Sequence, residues 1–423
     1  MNPHFSQFDA VAPQPAVTPL VAIKTLPALI RLVMVFTIVA FVGGGTLFGY
    51  NLSGIAWVMP LAVALLILAN NFSKISFPYG IWLPWALFLF IQLAVADYPN
   101  LDPRVLPQQR TFQVLCPIII GMAVSTFRPT PFELESFVTV CRYLSFVLLA
   151  IVAVKTGILL TGRLPDATGL APEVMTVMLM CSLFANRYLF LKEKRDFLLW
   201  SLLAFVPFAA VTRTAIAAAL LRFPLAFGPM RISRRIVALI LIVLLGGAAF
   251  YSPRVQKKMF FSGKGDVSAV MGDDLATSGR SFMWQKMYAY IDDDLLTGYG
   301  TGSGETFVYN ITGKTGYPHN DWLLTLFDYG IIGVSIYAIC LILLLFHAVS
   351  RVKYCSSEIN KLFFLTGASA IIPFCLMMTT DNIMVYVTFF GNLHFTILGL
   401  AYGALQARMD NARRSLSVPQ TGE

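Results

Sequence analysis

Residues 278–333 read SGRSFMWQKMYAYIDDDLLTGYGTGSGETFVYNITGKTGYPHNDWLLTLFDYGIIG. They form the last part of the chain's one long polar segment, which turns back into apolar sequence directly after His319, Asn320 and Asp321. Nearly everything on either side is apolar enough to lie in hydrocarbon. Any chemistry is therefore expected where this segment meets a membrane.

The 423-residue chain is 57% hydrophobic and only 13% charged, with a mean hydropathy of +0.71. A soluble domain carries about 25% charged residues, so this balance points to an integral membrane protein. Apolar runs of about 20 residues recur, each long enough to cross a roughly 30 Å hydrocarbon core. They are too long and too rich in Leu, Ile and Phe for core strands, which makes the fold all-α. Spans are expected near 27–49, 52–70, 77–96, 111–127, 135–160, 170–191, 196–212, 213–229, 233–251, 320–346, 361–380 and 383–406. The reading is a polytopic membrane protein of about 12 transmembrane helices. Nine helices fall in 27–251 and three in 319–406, with tails at 1–26 and 407–423. The polar leader lacks a compact cleavable pattern, so the first helix reads as uncleaved.

Lys and Arg fix the orientation. With both tails cytoplasmic, inside loops hold Lys74, Arg128, the group Arg187, Lys192, Lys194 and Arg195, then Arg231, Arg234, Arg235, Arg351, Lys353, Lys361 and Arg408. The short outside loops hold only Arg104, Arg110, Arg163 and Arg213, which puts the large loop 252–318 in the periplasm of a bacterium. The net charge of +9 is mostly this topology signal, and no basic stripe with interleaved aromatics suggests nucleic acid. The six cysteines have no CxxC spacing and read as packing residues.

Within the loop, Arg254, Lys257, Lys258 and Lys264 can meet lipid phosphates. Gly272, Asp273 and Asp274 read as a turn, and Thr277 and Ser278 as caps of a helix from about Arg280 to Ile291. Its apolar face, Trp284, Met287, Tyr288 and Ile291, would lie in the membrane interface. The glycines at 298, 300, 302 and 304 lack a GK[ST] ending, so they are expected to form a mobile loop rather than a phosphate cradle. Pro318 helps start the next span.

Several residues could carry chemistry, and each has a plainer alternative. Arg280 and Trp284, four apart, either anchor headgroups or present a guanidinium fork to a phosphate. His319 suits the boundary depth as a structural residue, but Asn320, Asp321 and Asp328 accompany it on one helix. Asp321 and Asp328, seven apart, share a stripe, and a carboxylate inside a membrane is a functional candidate by default. Arg213 breaks two apolar spans and either reaches headgroups or is held rigidly by the small residues that follow. Lys155 either snorkels or joins it. The aspartate runs at 273–274 and 292–294 read as solvated turns, and no metal site is indicated.

Taken in order, Thr212-Arg213-Thr214-Ala215, Ser278-Gly279-Arg280 with Trp284, Gly298-Tyr299-Gly300, His319-Asn320 and Gly330-Ile331-Ile332-Gly333 resemble the O-antigen ligase/polymerase superfamily. The resemblance covers about 200–340 plus the span layout. It implies glycan transfer at the periplasmic face of the bacterial inner membrane, from a glycan on undecaprenyl diphosphate. The acceptor implied is lipid A–core in a ligase or a second lipid-linked glycan in a polymerase. It also implies inversion, no cofactor and no metal, with Arg213, Arg280 and His319 as the essential residues. Trp284, Asn320, Asp321, Asp328 and Lys155 are expected to line the substrate. The rival class is a transporter, which would show paired broken helices in related halves. Here the polar residues gather late and at one face.

Overall fold

The structure is a computed structural model that describes residues 18–42, 46–47, 50–95, 101–103, 105–160, 171–210, 213–222, 230–260, 262–266, 280–313 and 316–417. Among the described residues the chain is all-α apart from a two-residue pairing of β1 (Thr46–Leu47) with β2 (Tyr50–Asn51). After the short α1 (Pro19–Thr25) come α2 (Ala28–Val42), α3 (Leu52–Asn71), α4 (Tyr79–Val95), α5 (Pro107–Val124), α6 (Pro131–Leu160) and α7 (Ala171–Leu191). They are followed by α8 (Lys194–Ala209), α9 (Arg213–Arg222) and α10 (Ile232–Phe250). The polar segment contributes α11 (Pro253–Met259), α12 (Arg280–Ile291) and α13 (Ser303–Thr312) before α14 (Asp321–Arg351), α15 (Glu358–Met378) and α16 (Gly391–Ser417).

Twelve of these helices stand where spans are expected from the sequence. Among the described residues, five stretches are both long and apolar enough to cross a bilayer: Gly54–Lys74, Pro131–Ile158, Pro172–Leu191, Asp321–Tyr354 and Glu358–Met378. α7, α15 and α16 carry the most buried side chains, whereas α10 exposes Ile236, Val237, Ile240, Leu241, Val243 and Leu244. Water would not tolerate such a face, but lipid does.

The bundle has two chemically different ends. At one, Arg128 meets Asp410 at 3.3 Å and the Lys74 carbonyl at 3.0 Å, and Arg187 bridges Glu135 and Asp196. Arg408 reaches the Tyr354 carbonyl at the same end. These are the residues assigned to the inner side by their charge. At the other end α12 and α13 pack on the start of α14, in a small core of Met283, Met287, Ile291, Val308, Leu323 and Phe327.

Three expectations need correction. The last span does not begin at 383: residues 379–390 form a non-helical loop and α16 starts at Gly391. α16 then runs to Ser417, through most of the expected tail. The face of α12 that packs is Met283, Met287 and Ile291, with Trp284 partly buried, while Tyr288 is exposed. It faces α13 and α14 rather than lipid, since a neighbouring protein surface was invisible to a single-helix reading. Thr277, Ser278, the turn at 272–274, Arg104, Arg163, the stretch 223–229 and the ends at 1–17 and 418–423 lie outside the described residues.

Candidate active site

The loop 379–390 is where the site is assembled. Most of it is apolar, and non-helical backbone at that depth must have its polar groups satisfied by protein. Buried side chains from four other helices do so. Asp321 Oδ2 accepts the Met384 N–H at 2.6 Å, and Gln113 donates to the Val385 carbonyl at 2.6 Å. The hydroxyl of Thr37 donates to the Thr388 carbonyl at 3.3 Å, and that of Thr176 to Phe389. The loop is thereby fixed from α14, α5, α2 and α7 at once, which leaves its polar start, Thr379 to Asn382, as a rigid shelf.

Two of the sequence-selected residues, Arg280 and His319, reach that shelf, and the start of α9 lies beside it. Arg280, the first residue of α12, donates from Nη1 to the Thr380 carbonyl at 2.7 Å. Thr214 bonds the Thr380 hydroxyl through its own, which brings Arg213, the first residue of α9, beside the same position. The Asn382 amide lies 3.1 Å from His319 Nδ1, and Asp381 Oδ1 lies 3.8 Å from it. So α9, α12 and α14 all begin around one loop. Each helix start carries unsatisfied N–H groups and about half a positive charge, so three of them together favour an anion.

His319 is held in a conformation that few residues adopt. Its φ is +52°, left-handed, where histidine is one of the less disfavoured non-glycine types. Such a backbone costs on the order of 1–3 kcal/mol and persists only when its surroundings fix it. They do so from both sides. Trp284 donates from Nε1 to the Pro318 carbonyl at 2.7 Å, and Asn320 caps α14 by accepting the Leu323 N–H at 3.0 Å. Trp284 and Asn320 thus hold the turn that carries His319.

Asp321, Asp328 and Lys155 are engaged differently. Asp321 faces the 379–390 loop, as described. Asp328 is buried and accepts the N–H of Gly302 at 2.9 Å on one oxygen and that of Gly304 at 2.7 Å on the other. Lys155 pairs with Glu173, a fully buried carboxylate at the start of α7.

The glycine run is therefore a locked turn rather than a mobile one. Gly330 (φ +63°, ψ −171°) kinks α14, and a Cβ there would stand 2.2 Å from the Leu296 carbonyl oxygen. Gly298 faces it, where a Cβ would stand 2.5 Å from the Gly330 nitrogen. Four bonds lace the two together: Tyr299 N–H to Phe327 O, Gly300 N–H to Asp328 O, Ile331 N–H to Leu295 O and Ile332 N–H to Leu296 O. The spacing of glycines showed that room was needed, but the object filling it was α14 itself.

A second tie joins this lobe to the bundle. Arg110, near the start of α5, grips Glu305 of α13 with both ends of its fork, at 2.9 and 2.7 Å, and also meets Tyr317. Burial pushes the Tyr317 hydroxyl above its ordinary range, although Arg110 pulls the other way. The turn before His319 is thus anchored on both Arg110 and Trp284.

Residues 197–338 match the family model described as O-antigen ligase. This stretch is similar to the O-antigen ligase family. The matched stretch runs from α8 into the first half of α14 and includes Arg213, Arg280, Trp284 and His319. No curated protein matches the chain. Thr380, Asp381 and Asn382, which complete the cluster, lie beyond the matched region and were missed in the sequence. Their signal was a polar quartet, Thr379-Thr380-Asp381-Asn382, interrupting two apolar runs just as Arg213 does.

Proposed function

We propose that Arg213, Arg280 and His319 form the active site of a glycosyltransferase that moves a glycan from undecaprenyl diphosphate to an acceptor sugar hydroxyl. The reaction takes place at the periplasmic face of the bacterial inner membrane. The observation that carries the reading is the meeting of three helix starts, those of α9, α12 and α14, around the shelf at Thr380–Asn382. The acceptor hydroxyl belongs to lipid A–core or to a second lipid-linked glycan, and the attack is the same in both.

The chemistry follows from charge. As the acceptor oxygen bonds to the anomeric carbon, the bond from that carbon to the phosphate oxygen breaks. The electron pair leaves with the diphosphate. Guanidinium groups and helix starts fixed around that position stabilise the growing charge without reorganising. They supply what a divalent ion supplies elsewhere, so transfer is independent of metal. A single displacement inverts the anomeric centre.

His319 takes the acceptor proton. Asp381 Oδ1, 3.8 Å from Nδ1, favours a proton on that nitrogen, for which the Asn382 amide, placed with its nitrogen 3.1 Å away, must turn its oxygen to the ring. Nε2 then presents its lone pair to the hydroxyl. Purified protein given a lipid-linked glycan and an acceptor should form the product, and Arg213→Ala, Arg280→Ala and His319→Ala should not. Activity retained in all three would end the assignment. In a deletion strain, full-length chains accumulating on the lipid carrier mark a missing ligase, and single repeats mark a missing polymerase.

A further inference from the structure

At the far end of α12 from Arg280 a cavity of about 540 Å³ opens between α4, α12, α13 and α14. That volume lies within the roughly 300–1,000 Å³ usual for small-ligand pockets. One wall is aromatic and rigid. Tyr290 lies nearly parallel to the buried Phe327, with ring centres 5.9 Å apart and planes 13° apart. Tyr299 and Phe307 pack on the same Phe327 at 5.0 and 5.1 Å. Tyr299 is pinned by its hydroxyl, which donates to the Tyr290 carbonyl at 2.6 Å. Tyr290 nevertheless keeps 46% of its surface exposed.

The rim is polar. Asp294 accepts the Thr297 hydroxyl on one oxygen at 2.8 Å, Gln92 crosses from α4 to the Thr297 carbonyl at 3.1 Å, and Asn310 is exposed. Flat rings bordered by amides and a carboxylate match a pyranose, whose C–H face stacks and whose hydroxyls pair at the edge. A lipid tail would leave that rim unsatisfied. A phosphate or uronate would meet the carboxylates at 292–294. Their field is felt nearby: the Tyr299 hydroxyl is pushed up to about 12, first by burial and then by Asp293, Tyr290, Asp294 and Asp292.

We propose that this cavity is a glycan subsite that stacks an uncharged sugar of the lipid-linked chain on Tyr290. The assignment rests on the transferase reading above and extends it. Tyr290 is ten residues beyond Arg280, or about 15 Å along α12 at 1.5 Å per residue, the reach of a short oligosaccharide. One helix would then hold the diphosphate at its start and the sugar chain at its end. That would make the cavity a determinant of which glycan is transferred.

The test is saturation-transfer NMR on the full-length protein in nanodiscs. The probe is the oligosaccharide released by mild acid from the producing cell's lipid-linked pool. The wild type should transfer saturation most strongly to C–H protons of sugars without a carboxylate. Tyr290→Ala and Asn310→Ala should weaken binding at least tenfold, while Tyr290→Phe, which keeps the ring and controls for folding, and Arg280→Ala should bind as the wild type does. The proposal is overturned by no saturation transfer to the wild type, by Tyr290→Ala binding unchanged, by Tyr290→Phe losing binding, or by the strongest signal on a carboxylate-bearing sugar. If Arg213→Ala, Arg280→Ala and His319→Ala all still transfer glycan while Tyr290→Ala loses the oligosaccharide, the active site falls and the subsite stands.

Discussion

Replacing Arg280 by alanine separates a chemical role from a structural one. In the protein its guanidinium makes a charged hydrogen bond of 2.7 Å to the Thr380 carbonyl. Such a bond contributes about 1.5–3 kcal/mol when sheltered, and less here because Arg280 is only part-buried. A loss of about 1 kcal/mol lowers the melting temperature by roughly 2–4 °C in domains smaller than this chain. Removing one preorganised donor from a developing oxyanion costs about 2.7–4 kcal/mol of transition-state stabilisation, on the order of 10²–10³ in kcat. Arg280→Ala should therefore lose most of its turnover while melting within a few degrees of the wild type. Arg280→Lys keeps the charge but loses the planar fork, and should fall between the two. The assay is initial-rate glycan transfer in nanodiscs beside tryptophan-monitored unfolding. Full turnover in Arg280→Ala, or a loss of turnover that tracks a large drop in melting temperature, would refute the reasoning.

Other outcomes follow from the same contacts. Lys155→Met strands the buried Glu173 carboxylate, so it should destabilise by about 3–5 kcal/mol, and adding Glu173→Gln should restore much of that. A Lys155→Met protein that melts normally but has lost substrate affinity would instead make Lys155 a ligand. Gly330→Ala must adopt a left-handed backbone and place a Cβ against the Leu296 carbonyl, so folded protein in the membrane fraction should drop sharply. Wild-type yield there would contradict the interlock. EDTA should leave initial rates unchanged, whereas a rate lost to chelation and restored by a divalent ion would oppose the arginine-based account. A cysteine at Asp293 in a cysteine-free background should react with impermeant maleimide from outside spheroplasts and one at Ser356 should not; the reverse pattern would invert the proposed orientation.

Much of the fold was legible because hydrocarbon imposes a simple code. Long apolar runs with charge at their ends can only be helices, and the helices stand near their expected positions. What failed was the stretch 383–390, as apolar as a span but not helical. Its backbone is satisfied by Asp321, Gln113, Thr37 and Thr176, which come from up to 351 positions away in sequence. No local pattern encodes that. The site was legible in part for a related reason. Arg213, Arg280 and His319 stood out because polar residues at apolar boundaries are costly. That α9, α12 and α14 begin around Thr380–Asn382 depends on tertiary packing alone. Asp328 stood out by the same rule, and in the fold its carboxylate closes the glycine turn. A boundary charge marks a place under constraint without saying whether the constraint is chemical.

The central claim is that a lipid diphosphate sits among three helix starts at the outer end of the bundle. Its most direct test is a cryo-EM structure of the protein in nanodiscs with bound undecaprenyl diphosphate. The account predicts both phosphates between Arg213, Arg280 and His319, within hydrogen-bonding distance of the two guanidinium groups and above the Thr380 shelf. Phosphates lodged at the opposite end, among Arg128, Arg187 and Arg408, would contradict it.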